Sequence, residues 1–347
     1  FTLQATCLYQ DHGNQKEGIQ CLKAFTQTYI CHSARALVFP SHGGGGANKA
    51  LEMFKKALKG ICKVSFVANI IHMLTERMKS DTRMDRDPHS LHFTNGYLDL
   101  RDGKFKQRQM LTHFISKTAD REYHPSNTAD VMWVQAEINK LFRDPETCEY
   151  TLYMFGRFLS GVVGPAMPLL ACMGQGGAGK STLINMIKAA LGSTYVVELP
   201  PDVFTKRSNG PNYKQLNSLD GPGRILVIDE LSTDKMDKEV LKLVCNGQIT
   251  VTRLYKDGSH IVQTEGSIVI TTNNMMNYLQ DSGIDRRLWT VVFKNKFTPD
   301  DDLVAAEARL AAEENRKVRV FKSRPGLVAS MTEGQKNAVI DILLIWT

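Results

Sequence analysis

The stretch that most restricts how this chain can fold is Gly174-Gln-Gly-Gly-Ala-Gly179-Lys180-Ser181-Thr182. It lies between an apolar run (residues 168–173) and a helix-forming segment (residues 181–191). The pattern G-x-x-x-x-G-K-[ST], with a strand before it and a helix after it, is that of a phosphate cradle. Glycines let the loop curl so that successive backbone N–H groups face one anion, and the helix adds its positive dipole end. The cradle would comprise Gly174, Gln175, Gly176, Gly177, Ala178, Gly179, Lys180, Ser181 and Thr182. For ATP or another NTP, Lys180 would bridge the β- and γ-phosphates, Ser181 would ligate Mg²⁺ and Thr182 would reach the α-phosphate.

The segments that follow supply matching chemistry. Residues 225–228 form a buried apolar strand that ends in Asp229 and Glu230. In a parallel sheet the carboxyl ends of the strands border the ligand crevice. Asp229 would therefore hold Mg²⁺ through water, and Glu230 would orient and deprotonate an attacking water. Capping of the next helix is the plainer role for such a pair. A third apolar strand, residues 267–272, ends in Asn273 and Asn274, where an amide can bond the γ-phosphate without adding charge. Asn-rich dipeptides also favour simple turns. Asp285-Arg286-Arg287 then places two guanidiniums beside a last strand (residues 288–293). One of them could serve a neighbouring copy's phosphates in trans, or both could be surface features.

Five apolar strands alternating with helices predict an α/β fold, a parallel sheet covered on both faces. With 347 residues, 42% hydrophobic and 23% charged, the chain has ordinary globular composition. No apolar run approaches the roughly 18–20 residues of a membrane span. The excess of basic over acidic residues, 43 against 36, suits a polyanionic partner. Seven cysteines without a C-x-x-C pair read as reduced, intracellular thiols. Cys21, Cys31 and His32 could ligate zinc, but buried core cysteines fit better. Phe1 opens the chain where a Met is expected, which reads as a piece of a longer polypeptide.

Upstream, residues 47–59 and 64–78 have helical spacing, and Gly43–Gly46 reads as a flexible connector. Asn95-Gly96 and Asp102-Gly103 mark tight turns between short strands. Residues 129–142 and 146–159 read as helices broken at Asp144-Pro145. The expected divisions are a mixed α+β N-terminal domain (1–125), a helical linker (126–163), an ATPase core (164–296) and a helical C-terminal segment (297–347).

With these elements the sequence resembles the superfamily 3 helicases, closest to the poxvirus-type helicase–primase NTPases of large DNA viruses and to related phage primase–helicases. Residues 174–182, 225–230, 268–274 and 283–293 carry the resemblance, and residues 93–103 match a stretch found upstream of the ATPase in that family. The resemblance implies an AAA+-like P-loop ATPase core that assembles as a homohexamer. It also implies translocation on single-stranded DNA, generally 3′ to 5′, in viral replication alongside a primase domain or replication polymerase machinery. Localisation would be the host cytoplasm or, for a phage, the bacterial cytoplasm. Family spacing favours Asn273 over Asn274, and Arg287 is favoured over Arg286. A channel-facing β-hairpin is implied between the acid pair and the Asn strand, at residues 249–263. Lys256 and His260 flank its Asp257-Gly258 turn and would contact DNA phosphates irrespective of base sequence. The competing readings are a monomeric P-loop nucleotide or polynucleotide kinase and a non-catalytic DNA-binding module.

Overall fold

The structure is a computed structural model that describes residues 85, 87–108, 115, 117–162, 169–205, 216, 219, 221–231, 236–252, 259–273, 282–299, 301–314 and 319–347. The chain divides into one compact unit of residues 1–85 and 111–117 and a larger one of residues 86–110 and 118–347. The elements below belong to the larger unit. Both upstream helices, the Gly43–Gly46 connector, Cys21, Cys31, His32, Lys256 and Asn274 lie outside the described residues.

Strands β1 (Ser90–Phe93), β2 (Gly96–Asp99) and β3 (Lys104–Lys106) form an antiparallel meander. The connection from β1 to β2 turns at Thr94-Asn95, one residue ahead of the expected Asn95-Gly96, because Gly96 already pairs with Phe93 as the first residue of β2. Helices α1 (Thr128–Asn139) and α2 (Pro145–Leu159) follow. Each starts on a side chain that accepts a free backbone N–H: Asn127 from Asp130, and Asp144 from Thr147. Pro145 sits at the start of α2, where its missing N–H costs nothing.

Strand β4 (Leu169–Met173) leads through the glycine loop into α3 (Lys180–Tyr195), followed by β5 (Val196–Leu199) and β6 (Ile225–Ile228). Next come α4 (Lys238–Cys245), the hairpin β7 (Gln248–Thr252) and β8 (Ser259–Gln263), β9 (Ser267–Thr272), the short α5 (Ser282–Asp285) and β10 (Leu288–Val292). Five of these strands pair in the order β10-β4-β9-β6-β5, and every pairing is parallel. The expected α/β core with a parallel sheet is therefore present.

Alternation along each strand decides which face a residue covers. Leu170, Cys172, Val227 and Val269 pack with Val134, Phe155, Ile187 and Ile340 on one side. Leu169, Ala171, Leu226 and Ile268 pack with Val240, Leu241 and Val244 on the other. The sheet is thus buried on both faces, which explains its uninterrupted apolar strands.

The C-terminal region departs from the helical expectation. Strand β11 (Lys296–Thr298) pairs in parallel with β12 (Val320–Lys322), which lies between α6 (Leu303–Glu314) and α7 (Glu333–Leu344). A three-residue strand is too short to leave a readable periodicity. The meander also belongs with the parallel-sheet unit. The His92 N–H donates to the Tyr195 hydroxyl across 2.6 Å, and the Arg224 guanidinium donates to the Asp87 carbonyl at 3.1 Å while pairing with Glu265. Arg224 is fully buried, so these bonds fasten the start of β6 to the meander. Among the described residues no helix is long and apolar enough to cross a membrane.

Candidate functional site

The glycine loop leaves the carboxyl end of β4 and enters α3 at Lys180. Gly177 and Gly179 have φ of 77° and 93°, a region that side chains disfavour. A Cβ on Gly179 would also stand 2.6 Å from a terminal methyl of Leu141, which would have to move aside. The segment after β10 braces the loop from outside. The Phe297 N–H donates to the Gly177 carbonyl at 2.8 Å, and Lys296 Nζ donates to the Gly176 carbonyl at 2.5 Å. Sequence reasoning missed this brace, because nothing in residues 296–297 alone signals a partner far upstream.

Lys180 is buried, and its ammonium donates to the carbonyls of Gly174 and Gln175 and, across 2.9 Å, to Asn273 Oδ1. Burial lowers its pKa below that of a free lysine, against the opposing pull of nearby Asp229 and Glu230. Burial also pushes the thiol of Cys172, beneath the loop, up to about 12, so it stays protonated at neutral pH.

Sheet order brings the remaining residues together. Strand β9 lies between the loop strand β4 and the acid strand β6, with Met173 opposite Thr272 and Ile228 opposite Ile270. All three strands run parallel, so their carboxyl ends open on one edge. There the Thr271 hydroxyl donates to Asp229 Oδ1 and accepts from the Glu230 N–H at 3.3 Å. One hydroxyl therefore holds the Asp229 carboxylate and the backbone of Glu230. Its role was not legible in the sequence, where Thr271 reads only as a strand residue. Glu230 has φ of 53°, a left-handed conformation uncommon outside glycine, and such strain concentrates at functional sites. Asp229, Glu230, Asn273 and Ser181 are exposed, and Thr182 is half-buried.

These groups fit a magnesium nucleoside triphosphate. The loop leaves open space around Gly176, and the exposed Ser181 hydroxyl and Asp229 carboxylate are hard oxygen donors. Among the described residues no cluster of three or more His, Cys, Asp or Glu side chains could hold a metal alone.

The arginine pair lies elsewhere. Leu288 pairs with Leu169, which puts Arg287 at the amino end of the sheet, about 16 Å along β4 from the glycine loop. Its buried guanidinium donates to the Gly283 carbonyl at 2.7 Å and to Asn246 Oδ1 at 3.1 Å. Arg286 is exposed. In the hairpin, His260 occupies β8 opposite Val251, and the tip residues 253–258 lie outside the described residues.

Residues 9–162 match the family model "D5 N terminal like", and residues 172–287 match a "Family of unknown function (DUF5906)". No curated protein matches the chain. Among solved structures, the chain is similar to the A form apo structure of the NrS-1 C terminal region, with 13% identity and a TM-score of 0.42. A second apo structure of that region gives 12% and 0.41. In both cases 79% of this chain is covered, and the chain spans 66% of the length of those structures. The domain matched over residues 9–162, somewhat less than half of the chain, is found in phage and viral primase–helicase proteins.

Proposed function

We propose that this chain is an AAA+-like ATPase of superfamily 3, a ring-forming DNA helicase that hydrolyses ATP to move along single-stranded or forked DNA during replication. The observation that carries the reading is the pair of bonds Lys180–Asn273 and Thr271–Asp229, which tie the glycine loop, the amide strand and the acid strand to one sheet edge. A phosphate chain entering the loop would meet backbone N–H groups from residues 176–181 and the Lys180 ammonium. Mg²⁺, held through Ser181 and Asp229, would neutralise phosphate charge as it develops. Glu230 would draw a proton from the attacking water, and Asn273 would bond the γ-phosphate oxygen.

The homohexamer belongs to the same proposal. Arg286, which is exposed, would then serve the phosphates of a neighbouring copy in place of the favoured Arg287, whose guanidinium is bonded within its own subunit. The β7–β8 hairpin would present Lys256 and His260 to the DNA. It runs through residues 264–266 into β9, so movement at Asn273 would be felt at the hairpin base. A primase domain or replication polymerase would be the working partner. The test is Mg²⁺-dependent ATP hydrolysis and unwinding of a forked duplex by the intact chain. Absence of hydrolysis in a folded protein would overturn the reading.

A further inference from the structure

A cavity of about 670 Å³ opens beside the glycine loop, within the range of roughly 300–1,000 Å³ usual for small-molecule sites. Thr182 and Asn185, one helical turn apart on α3, line one side. Phe297 and Phe321 line another, stacked with centroids 5.6 Å apart and planes 27° apart. The two aromatic residues come from the paired strands β11 and β12, and Phe297 is also the residue whose N–H braces Gly177. The Arg324 guanidinium, also on the lining, pairs with Glu137 across 2.6 Å, joining the turn after β12 to α1. Lys140 donates to the same Glu137 oxygen at 2.8 Å. Glu137 is buried and accepts from both cations, which stand at the exposed rim of the cavity.

We infer that this cavity is the base subsite of the nucleotide site and that its Phe297–Phe321 wall selects purine over pyrimidine nucleoside triphosphates. The inference rests on the phosphate-cradle reading. Thr182 follows the Lys180-Ser181 pair and also borders the cavity, so a nucleoside leaving the α-phosphate on that side enters it directly. Half-buried aromatic rings offer a π-face, and stacking strengthens with the area of the base. Arg324 and Lys140 both bond Glu137 Oε1, so the second oxygen of this carboxylate can still accept from a base edge. Selection of purine over pyrimidine would come from stacking area on Phe297 and Phe321.

Equilibrium binding to the intact chain with Mg²⁺ tests this, using the β,γ-imido analogues of ATP and CTP and inorganic tripolyphosphate. The adenine compound should bind about tenfold or more tighter than either of the others. Phe321→Ala should remove most of that advantage and leave tripolyphosphate affinity unchanged. Ala329→Trp, which fills the cavity from an exposed position on its rim, should do the same and decides the matter if Phe321→Ala does not fold. Equal binding of all three probes by the parent protein, or an unchanged adenine advantage in Ala329→Trp, would overturn the base subsite while leaving the phosphate cradle intact. Binding of none of the three would remove the cradle reading itself, and this inference with it.

Discussion

The Lys180 ammonium donates to Asn273 Oδ1 across 2.9 Å, from the first residue of α3 to the end of β9. The residue expected to hold the phosphates and the one expected to sense the last of them are therefore already in contact. A bound γ-phosphate would compete for both partners, so its arrival and loss would register directly at the end of β9.

Lys180→Ala and Asn273→Ala should consequently differ. Lys180→Ala removes the buried cation and should abolish nucleotide binding in a titration. Asn273→Ala should leave affinity within about threefold and lower kcat by about tenfold or more, the pattern of an interaction made chiefly in the transition state. Equal loss of affinity in both variants would reduce Asn273 to an anchor for the lysine.

At the acid strand, Glu230→Gln keeps the shape but removes the base. Nucleotide binding should persist while turnover falls by about 10²-fold or more. Thr271→Val deletes the hydroxyl shared by Asp229 and the Glu230 backbone. It should raise the Mg²⁺ concentration needed for half-maximal hydrolysis and lower kcat, which a metal titration of the steady-state rate would reveal. An unchanged Mg²⁺ dependence would separate Asp229 from metal binding.

The two arginines should fail for different reasons. Arg287→Ala removes the bonds of a buried guanidinium to the Gly283 carbonyl and to Asn246 Oδ1, a loss of about 1–3 kcal/mol that denaturant unfolding can measure. Arg286→Ala should leave stability unchanged and lose hydrolysis. Mixing it with Lys180→Ala subunits should restore activity, since some interfaces then regain a complete site. No recovery at any mixing ratio, with both variants oligomeric, would rule out a shared site.

For the hairpin, Lys256→Ala should separate hydrolysis from movement. Basal ATP turnover should survive while DNA stimulation and unwinding fall. The dependence of single-strand affinity on salt should also flatten, because phosphate contacts carry that slope. Normal unwinding of a forked duplex by Lys256→Ala would remove the hairpin from the mechanism.

The secondary structure of the core was legible because its signals are local. Residues 267–272 form β9, as their apolar pattern predicts. Strand β5 begins only at Val196, since Tyr195 completes α3 and its hydroxyl accepts from the His92 N–H of the meander. Strand β12 was missed: three residues carry no period, and only pairing with β11 makes Val320–Lys322 a strand.

The chemistry of the nucleotide site follows the same division. Glycine at 177 and 179, the lysine after it, and an acid pair closing an apolar strand are choices dictated by backbone sterics and charge, so the sequence alone determined them. Which groups meet was decided by tertiary structure. Placing β9 between β4 and β6 brings Thr271 to Asp229 and Asn273 to Lys180, because parallel strands in register end side by side. The same packing buries Arg287 and leaves Arg286 exposed, although the two are adjacent in the chain and identical in chemistry. Neighbouring side chains that diverge from a turn face different surroundings, and burial against Gly283 and Asn246 separates them.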